Sequence, residues 1–260
     1  MRIAVLGGTG VLGRLVVDVA LGRGHEPVAL SRTTGVDLVT GRGLDGALDG
    51  CAAAIDAANK FAVRRGPARA FFEATAKHLQ AACDRAGVAH IVVVSIVGID
   101  RVRAYGYYDA KLTQERHHLA GPVDATIVRA TQFHEFPGQI AARSTLGGRV
   151  TLIPALRVQS VAARSVAEVL VDAAVGPSQR GRLPDVAGPG PPAELPALAT
   201  AVLAHRGSRA KVLAVPLAGP LRRASREGAL LPAPDATLVG PTFAAWLDGP
   251  DGPPRSAATS

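Results

Sequence analysis

A glycine-rich turn near the amino terminus constrains the fold of this chain more than any other feature. The run Arg2 to Leu6 is apolar, as in a strand buried on both faces, and it passes directly into Gly7-Gly8-Thr9-Gly10-Val11-Leu12-Gly13. Apolar residues then recur at helical spacing until Gly22 and Gly24, and a second apolar run follows at Pro27 to Leu30. This order predicts a β-α-β unit.

The chemistry of that turn points to a dinucleotide. Glycine lets the strand turn tightly, lets backbone N–H groups approach a pyrophosphate, and lets the helix pack closely on the sheet. The amino terminus of the helix adds partial positive charge at the same place. We therefore expect Gly7 to Gly13 to hold the diphosphate of a nicotinamide dinucleotide.

Alternation of strands and helices continues along the chain. Further apolar runs occur at Ala52 to Ala57, Ile91 to Val94 and Ala125 to Val128, with Pro67 to Ala86 as the clearest intervening helix. Parallel strands need such crossovers, and nearly every crossover is right-handed. The predicted fold class is α/β, a Rossmann-type doubly wound parallel sheet.

The texture of the chain changes after Ala130, because prolines and glycines break it into short pieces. Helical spacing returns at Glu194 to Ala204 and at Thr242 to Leu247. We predict an NAD(P)-binding domain over residues 1–130 and a small mixed substrate-binding lobe over 131–248, part of which returns to the sheet. Residues 249–260, rich in Gly, Pro and Ser, are expected to form a disordered tail.

The net charge of +8 does not indicate a nucleic-acid partner. The basic residues are scattered, with no run of five or more, and aromatic residues for base stacking make up only 4% of the chain. No apolar run approaches the ~20 residues of a membrane helix, and the amino terminus lacks the features of a signal peptide. The expectation is a cytoplasmic protein, monomer or homodimer, with no nucleic-acid or membrane partner.

Cysteine and histidine do not indicate a metal site or a disulfide framework. Cys51 and Cys83 are far apart in apolar surroundings, as buried thiols of a reducing compartment are. The pairs His117-His118 and His134-Glu135 lack the spacing of metal ligands. No metal is predicted.

The residues after the second strand favour NADP over NAD. NAD-binding chains carry a carboxylate about twenty residues past the glycine loop, where it binds the adenosine ribose. Ser31-Arg32 stand there instead, and a guanidinium beside a hydroxyl suits a ribose 2′-phosphate. Asp37-Leu38 follow, with Asp37 placed to accept a hydrogen bond from the adenine amino group.

Tyr107 and Lys111 form a Tyr-x-x-x-Lys spacing, which chance would give roughly 0.05 times in a chain with three tyrosines and four lysines. Four residues apart on a helix, they share one face. A free phenol has a pKa of about 10, so acid–base catalysis needs that pKa lowered. We expect Lys111 and the nicotinamide to lower it, Tyr107 to donate a proton to a carbonyl oxygen, and Lys111 to hold the nicotinamide ribose.

With these motifs in place, the chain resembles the short-chain dehydrogenase/reductases, and among them the atypical branch that is NmrA-like or isoflavone-reductase-like. The resemblance extends to about Leu247 and is carried by Gly7 to Gly13, Asp37-Leu38, Asp56 to Asn59, Ser95, Tyr107 to Lys111, Arg129 to His134 and Thr242 to Leu247. It implies a Rossmann-type sheet, bound NAD(P)H, and a substrate pocket roofed by the carboxyl-terminal segments.

The resemblance also implies roles for single residues. Ala57, Ala58 and Asn59 would lie along the cofactor, and Thr131, Gln132 and Phe133 beside the nicotinamide. The full set expected to bind cofactor is Gly7, Thr9, Gly10, Val11, Leu12, Gly13, Ser31, Arg32, Asp37, Leu38, Ala57, Ala58, Asn59, Lys111, Thr131 and Phe133.

Three assignments leave alternatives open. Ser95 is the third catalytic residue or a strand-end cap, because Ile96-Val97 follow it where many relatives carry Ser or Thr. Phe133 and His134 line the substrate pocket, or His134 is a hydrogen-bonded structural histidine. The expected activity is NADPH-dependent reduction of a ketone or quinone on an apolar small molecule. An epimerase or dehydratase that uses NADP, and a sensor that binds NADP without catalysis, remain as alternatives.

Overall fold

The amino-terminal β-α-β unit has the form that the glycine turn predicts. In the computed structural model, which describes residues 1–60 and 65–255, β1 (Arg2–Leu6) passes into α1 (Val11–Gly22) and then into β2 (Glu26–Leu30). The two strands pair in parallel. All residues of β1 after the first are buried, because helices cover both faces of the sheet.

The elements that follow continue the alternation. A 3₁₀ helix at Arg32–Thr34 comes first, and a second one at Ile99–Val102 precedes α4. The other elements of this half are α2 (Leu44–Leu48), β3 (Ala53–Asp56), α3 (Arg65–Ala86), β4 (His90–Ile96), α4 (Gly106–Leu119) and β5 (Asp124–Ala130).

The second half is built from shorter pieces, as its prolines and glycines predict. Its elements are α5 (Phe136–Ser144), β6 (Thr145–Leu146), β7 (Val150–Pro154), β8 (Arg157–Val158), α6 (Ala163–Val175), β9 (Gly181–Arg182), β10 (Val186–Ala187), β11 (Ala193–Glu194), α7 (Leu195–His205), β12 (Lys211–Val215), α8 (Gly219–Arg226), β13 (Thr237–Leu238) and α9 (Phe243–Leu247). The helices predicted at Glu194 to Ala204 and Thr242 to Leu247 correspond to α7 and α9.

The central sheet is parallel and runs in the order β2-β1-β3-β4-β5-β10-β13, with β9 beside β5. The order in which the chain adds strands reverses at β1, because β2 lies on one side of β1 and β3 on the other. Helices α1 and α6 pack on one face, and α3 and α4 on the other. The predicted doubly wound Rossmann-type sheet is confirmed.

The residues after Ala130 divide between this sheet and a smaller assembly. Strands β9, β10 and β13 and helix α6 return to the central sheet, while β6, β7 and β12 form a separate three-stranded sheet and β8 pairs with β11. The boundary at 130/131 stays a prediction.

Two residues of the predicted tail, Asp251 and Arg255, form ion pairs with residues that precede the tail. The Asp251 carboxylate accepts a hydrogen bond from Arg164 Nε at 2.7 Å, and Arg255 pairs with Asp248 at 2.7 Å. Residues 256–260 of the predicted tail lie outside the described residues. Within residues 1–60 and 65–255, no helix is both long enough and apolar enough to cross a bilayer. Cys51 and Cys83 are buried free thiols, as predicted.

Candidate functional site

The glycine loop lies between β1 and α1 and leaves no room for larger side chains. Gly7 adopts a positive φ of 69°, and its carbonyl accepts a hydrogen bond from the Gly10 N–H at 2.8 Å. A Cβ added to Gly13 would lie only 2.1 Å from that same carbonyl oxygen. Gly10 is the N-cap of α1, so the first turn receives no side-chain cap from it. Close packing and an amino terminus open to an anion both fit a diphosphate.

The turn after β3 lies against this loop. A Cβ on Gly7 would be 3.0 Å from both the Ala57 carbonyl oxygen and the Ala58 Cα. The Ala57 N–H donates to the Leu6 carbonyl at 3.1 Å. Because the strand order reverses at β1, these contacts lie at the topological switch point, where open α/β sheets bind ligands.

Ser31 and Arg32 begin at the same edge of the sheet, since the Gly7 N–H donates to the carbonyl of Leu30 at 2.9 Å. The Ser31 hydroxyl lies 2.8 Å from the Thr33 hydroxyl, and Arg32 is exposed to solvent. Two hydroxyl groups and a cationic residue thus follow directly on the strand that borders the glycine loop. They are the kind of groups that bind a phosphate ester.

Asp37 and Leu38 lie in the following loop. Asp37 forms an isolated bridge with Arg42, and its carboxylate accepts the Val39 N–H at 2.9 Å. That hydrogen bond is the main cause that lowers the pKa of Asp37. The carboxylate is therefore ionised and able to accept further hydrogen bonds.

Tyr107 lies in the first turn of α4 and contacts the β3 turn. Its hydroxyl donates to Asn59 Oδ1 at 2.9 Å, and its ring packs beside the rings of Phe72 and Tyr108. Burial raises the pKa of Tyr107 to about 12, and the Asn59 hydrogen bond opposes that rise. In the chain alone, burial therefore outweighs the stabilisation that its residues offer the phenolate, and the lowering of this pKa expected with the nicotinamide in place stays a prediction.

Lys111 is a buried residue of α4, with 3% of its surface exposed. Its ammonium donates to the Val94 carbonyl at 2.8 Å and to the Gln114 side-chain oxygen. The ammonium also lies 4.9 Å from the centre of the Phe72 ring, which packs against Tyr107 as well. Burial lowers the pKa of Lys111 to about 8, although nearby carboxylates oppose this. The predicted pair therefore shares one buried helix face.

Polar atoms without partners gather at the carboxyl ends of β4 and β5. Within the described part of the chain, the Ser95 hydroxyl, the Thr131 hydroxyl and both amide atoms of Gln132 are buried without a hydrogen-bond partner. Such atoms are costly unless a ligand or water completes them. Their position fits the polar nicotinamide end of a dinucleotide and a substrate. Ser95 lies inside β4, beside Arg129 of β5, and not after the strand as the sequence suggested.

Phe133 and His134 take different positions. Phe133 is half-buried against the core and forms a parallel bridge with Val161. His134 is fully buried, with Nδ1 at 2.8 Å from the Ser160 hydroxyl and Nε2 at 3.2 Å from the Pro241 carbonyl. This arrangement corresponds to the structural alternative for His134, which we leave out of the proposed substrate contacts.

Two buried polar groups beside the site were not assigned a role from the sequence. One joins Asp56 to Gln114 and His118 of α4, and the other joins Arg129 to both oxygens of Glu115. Asp56 stood out only as part of a strand-end motif. Its partners lie 58 and 62 residues away, so no local spacing could have revealed them.

Among the described residues, no three His, Cys, Asp or Glu side chains are grouped so that they could hold a metal ion.

A family model described as NAD(P)H-binding matches residues 7–177, which includes the glycine loop, Tyr107 and Lys111. The chain belongs to this NAD(P)H-binding family. The resemblance to the atypical short-chain dehydrogenase/reductases is thereby confirmed. A search of curated proteins found no match.

Solved structures share the fold of this NAD(P)H-binding protein at low sequence identity. A UDP-N-acetylglucosamine 4-epimerase from Bacillus cereus is 18% identical with a TM-score of 0.69, covering 94% of this chain and 93% of its own. A UDP-glucose 4-epimerase from Thermus thermophilus in complex with NAD is 17% identical with a TM-score of 0.64, covering 83% and 86%. An NADPH-dependent quinone oxidoreductase from Escherichia coli in complex with NADPH is 16% identical with a TM-score of 0.63, covering 82% and 78%.

Proposed function

We propose that this NAD(P)H-binding protein is an NADPH-dependent reductase of a ketone or quinone carried by a mainly apolar small molecule. The observation that carries the proposal is the placement of the Tyr107 hydroxyl. It lies 2.9 Å from Asn59 Oδ1. Asn59 follows Ala57 and Ala58, which contact the glycine loop. This placement supports a proton donor at the edge of the sheet where open α/β sheets bind dinucleotides.

The cofactor would be held by residues that the structure groups at this edge. Gly7, Gly10 and Gly13 would receive the diphosphate at the amino terminus of α1, and Ala57 and Ala58 would lie along it. Lys111 would bind the nicotinamide ribose, and Thr131 and Phe133 would lie beside the nicotinamide. NADPH supplies a hydride when it is bound.

In the chain alone Tyr107 holds the proton that reduction requires, and its transfer would need the lower pKa expected with Lys111 and the cofactor in place. Because its pKa is raised to about 12, the phenol carries its proton at neutral pH. It would donate that proton to the carbonyl oxygen while the carbonyl carbon receives the hydride. Its present acceptor, Asn59 Oδ1, would give way to the substrate oxygen. Ser95, buried in β4 with an unpartnered hydroxyl among the described residues, would orient the same oxygen.

Preference for NADPH over NADH would come from the residues after β2. Arg32 is exposed next to the hydroxyls of Ser31 and Thr33, a combination that favours a 2′-phosphate over a free ribose hydroxyl. Asp37 would accept from the adenine amino group, with Leu38 beside it. Titration of the protein with NADPH and with NADH measures the preference directly, and tighter binding of NADH would contradict it.

A second candidate is an epimerase or dehydratase that regenerates its dinucleotide in each turnover. Two nucleotide-sugar epimerases share this fold over most of their length, at 17–18% identity, so the fold accommodates such a reaction. A reductase consumes one NADPH for each product molecule, whereas an epimerase consumes none. The stoichiometry of NADPH oxidation therefore separates the two.

Replacing Tyr107 by Phe tests the proposed proton donor. Turnover on a panel of ketones and quinones is expected to fall about 10²- to 10⁴-fold, because the phenolic proton is lost. Affinity for NADPH should change little. Turnover is measured as loss of NADPH absorbance, and affinity by titration.

Tyr108→Phe is the matched control, since Tyr108 is the neighbouring buried tyrosine on α4. It should keep its turnover. The proposal is wrong if Tyr107→Phe reduces the same substrate at the wild-type rate while still binding NADPH.

A further inference from the structure

A buried carboxylate beneath α4 is connected to Lys111 through one side chain. Asp56, the last residue of β3, is fully buried, and its Oδ2 accepts from Gln114 Nε2 at 2.7 Å. The other end of the same amide, Gln114 Oε1, accepts from the Lys111 ammonium. His118 Nε2 also lies 3.1 Å from Asp56 Oδ2. We refer to Asp56, Gln114, His118 and Lys111 as the Asp56 network.

The charges at its two ends fix the orientation of the Gln114 amide. The amide carries donors at one end and an acceptor at the other. Turned around, it would present N–H groups to an ammonium and an oxygen to a carboxylate, and both contacts would be repulsive. Asp56 is ionised, because hydrogen bonding and positive charge from His118, together with the charge of Lys111, outweigh the effect of burial and lower its pKa. The carboxylate therefore holds Gln114 in the one orientation that binds Lys111.

The second oxygen of the same carboxylate holds the β3 turn. Asp56 Oδ1 accepts the Ala58 N–H at 3.1 Å. Ala58 lies against Gly7, and the next residue, Asn59, accepts from the Tyr107 hydroxyl. One buried carboxylate thus contacts both the turn beside the glycine loop and, through Gln114, the ammonium of Lys111.

We infer that Asp56 is the positioning residue that sets the Lys111 ammonium and the Ala57–Ala58 turn together, with Gln114 as the connecting side chain. The role of Lys111 toward the cofactor rests on the proposed function, but its position in the network does not. Without this connection the ammonium would keep the Val94 carbonyl alone as a hydrogen-bond acceptor among the contacts described. Asp56 and Gln114, both fully buried, would thereby be required for the reaction through the groups they position.

A merely structural role is the competing explanation, because Asp56 and His118 also join β3 to α4. His118→Gln separates the two explanations. It weakens that joint but leaves Gln114 between Asp56 and Lys111. If the network only supports the fold, all three positions should behave alike.

Titration of Lys111 by NMR is the first test. The chain has four lysines, Lys60, Lys77, Lys111 and Lys211, and Lys111 is the buried one, so selective ¹³C labelling gives few signals to assign. Two carboxylates act on it: Asp56, and Glu115, whose oxygens are both bound by Arg129. Removing the charge in Asp56→Asn should lower the pKa of Lys111 by about one unit or more. Gln114→Met, which removes the acceptor, should lower it too.

His118→Gln keeps an N–H donor toward Asp56 and leaves Gln114 in place, so it is expected to shift the pKa of Lys111 clearly less than Asp56→Asn does. The inference is overturned if Asp56→Asn and Gln114→Met titrate like the wild type. It is equally overturned if His118→Gln shifts Lys111 as much as they do. Gln114→Met decides the matter if Asp56→Asn does not fold.

Cofactor binding is the second test. Asp56→Asn retains one acceptor oxygen, so either the Ala58 contact or the Gln114 contact is lost. Loss of one such hydrogen bond should weaken NADPH binding about tenfold, and His118→Gln should not. Unchanged affinity in both Asp56→Asn and Gln114→Met would overturn the inference. If the wild type reduced no carbonyl or quinone while Lys111 titrated as expected, the proposed reductase activity would fail and the positioning of Lys111 would stand.

Discussion

Gly13 is the glycine of the loop that packs most tightly. Because its added Cβ would meet the Gly7 carbonyl at 2.1 Å, Gly13→Ala must push α1 away from the loop. We expect a loss of about 1–3 kcal/mol in the free energy of unfolding, as for other overpacked sites. NADPH binding should weaken as well, since the helix terminus moves. Urea unfolding can be followed by fluorescence of the single tryptophan, Trp246, which is buried.

Gly22→Ala is a matched control on the same helix, because nothing lies within 4 Å of its added Cβ. Alanine is a better helix former than glycine, so this variant should be neutral or more stable by up to about 1 kcal/mol. Equal stability of the two variants would show that the Gly13 contact has no energetic consequence.

At the level of elements, apolar periodicity predicted most of the central sheet because each strand and helix is marked by local residues. The run at Ile91 to Val94 became β4, and Pro67 to Ala86 became α3. Strand ends were less exact. β4 continues through Ser95 to Ile96, since pairing with β5 extends it beyond its apolar run. Pairing partners are distant in sequence, so local patterns could not set that boundary.

The candidate site was predictable to the extent that its motifs are local. The glycine loop and the Tyr107–Lys111 spacing are short patterns with a mechanism, and the structure places both at one sheet edge. The upward pKa of Tyr107 was not predictable, because it comes from burial against Phe72 and other distant residues. The contacts of Asp56 with α4 were not predictable either, because its partners are distant in sequence.

Helix α4 is held to β5 by a buried ion pair. Arg129 donates to both oxygens of Glu115 at 2.9 and 2.7 Å, and their side chains are only 6% and 8% exposed. Glu115→Ala leaves the guanidinium with the half-exposed Asp100 as its remaining described carboxylate partner. We expect a loss of about 3 kcal/mol in the free energy of unfolding, because a buried charge loses its buried, bidentate partner and keeps only a half-exposed one. Urea unfolding measures it.

The exposed pair Lys77–Glu73 is the control for this prediction, since its side chains are 57% and 35% exposed. Lys77→Ala should cost less than about 1 kcal/mol. The double replacement Arg129→Met with Glu115→Leu should recover much of the stability lost in Glu115→Ala, because it removes both charges. A double variant as unstable as Glu115→Ala would show that the cost is not that of an unpaired charge.

For the whole molecule, the sheet order follows from chain connectivity in the first half but not in the second. Crossovers predicted a parallel sheet through β5, whereas β10 pairs with β5 through the single register position Val186 beside Ala130. Such a short strand carries little periodic signal. Helix α6 packs against α1, and its buried face belongs to the same hydrophobic core as β1. This packing joins the second half of the chain to the central sheet. The family model matches residues 7–177 of this chain, so the match extends well past the predicted domain boundary at 130/131.

Buried histidines are expected to make the stability of the whole fold sensitive to mild acid. His90 and His134 are 3% and 0% exposed, and burial lowers the pKa of both below the ordinary value of 6.5. The unfolded chain therefore binds more protons than the folded one as the pH falls through about 6.5, and the free energy of unfolding falls with it. Asp56 and Asp100, whose pKa values are lowered, add a further loss below 3.8.

Urea midpoints at about pH 7.5 and 5.5 test this expectation through the difference between the two values. His90→Gln and His134→Gln combined should be less stable at both pH values but should lose less between them. Thr126→Val removes the hydroxyl 2.7 Å from His90 Nε2 but keeps the imidazole, so its loss between the two pH values should persist. If the double histidine variant declined as steeply as the wild type, other groups would govern the acid response of this fold.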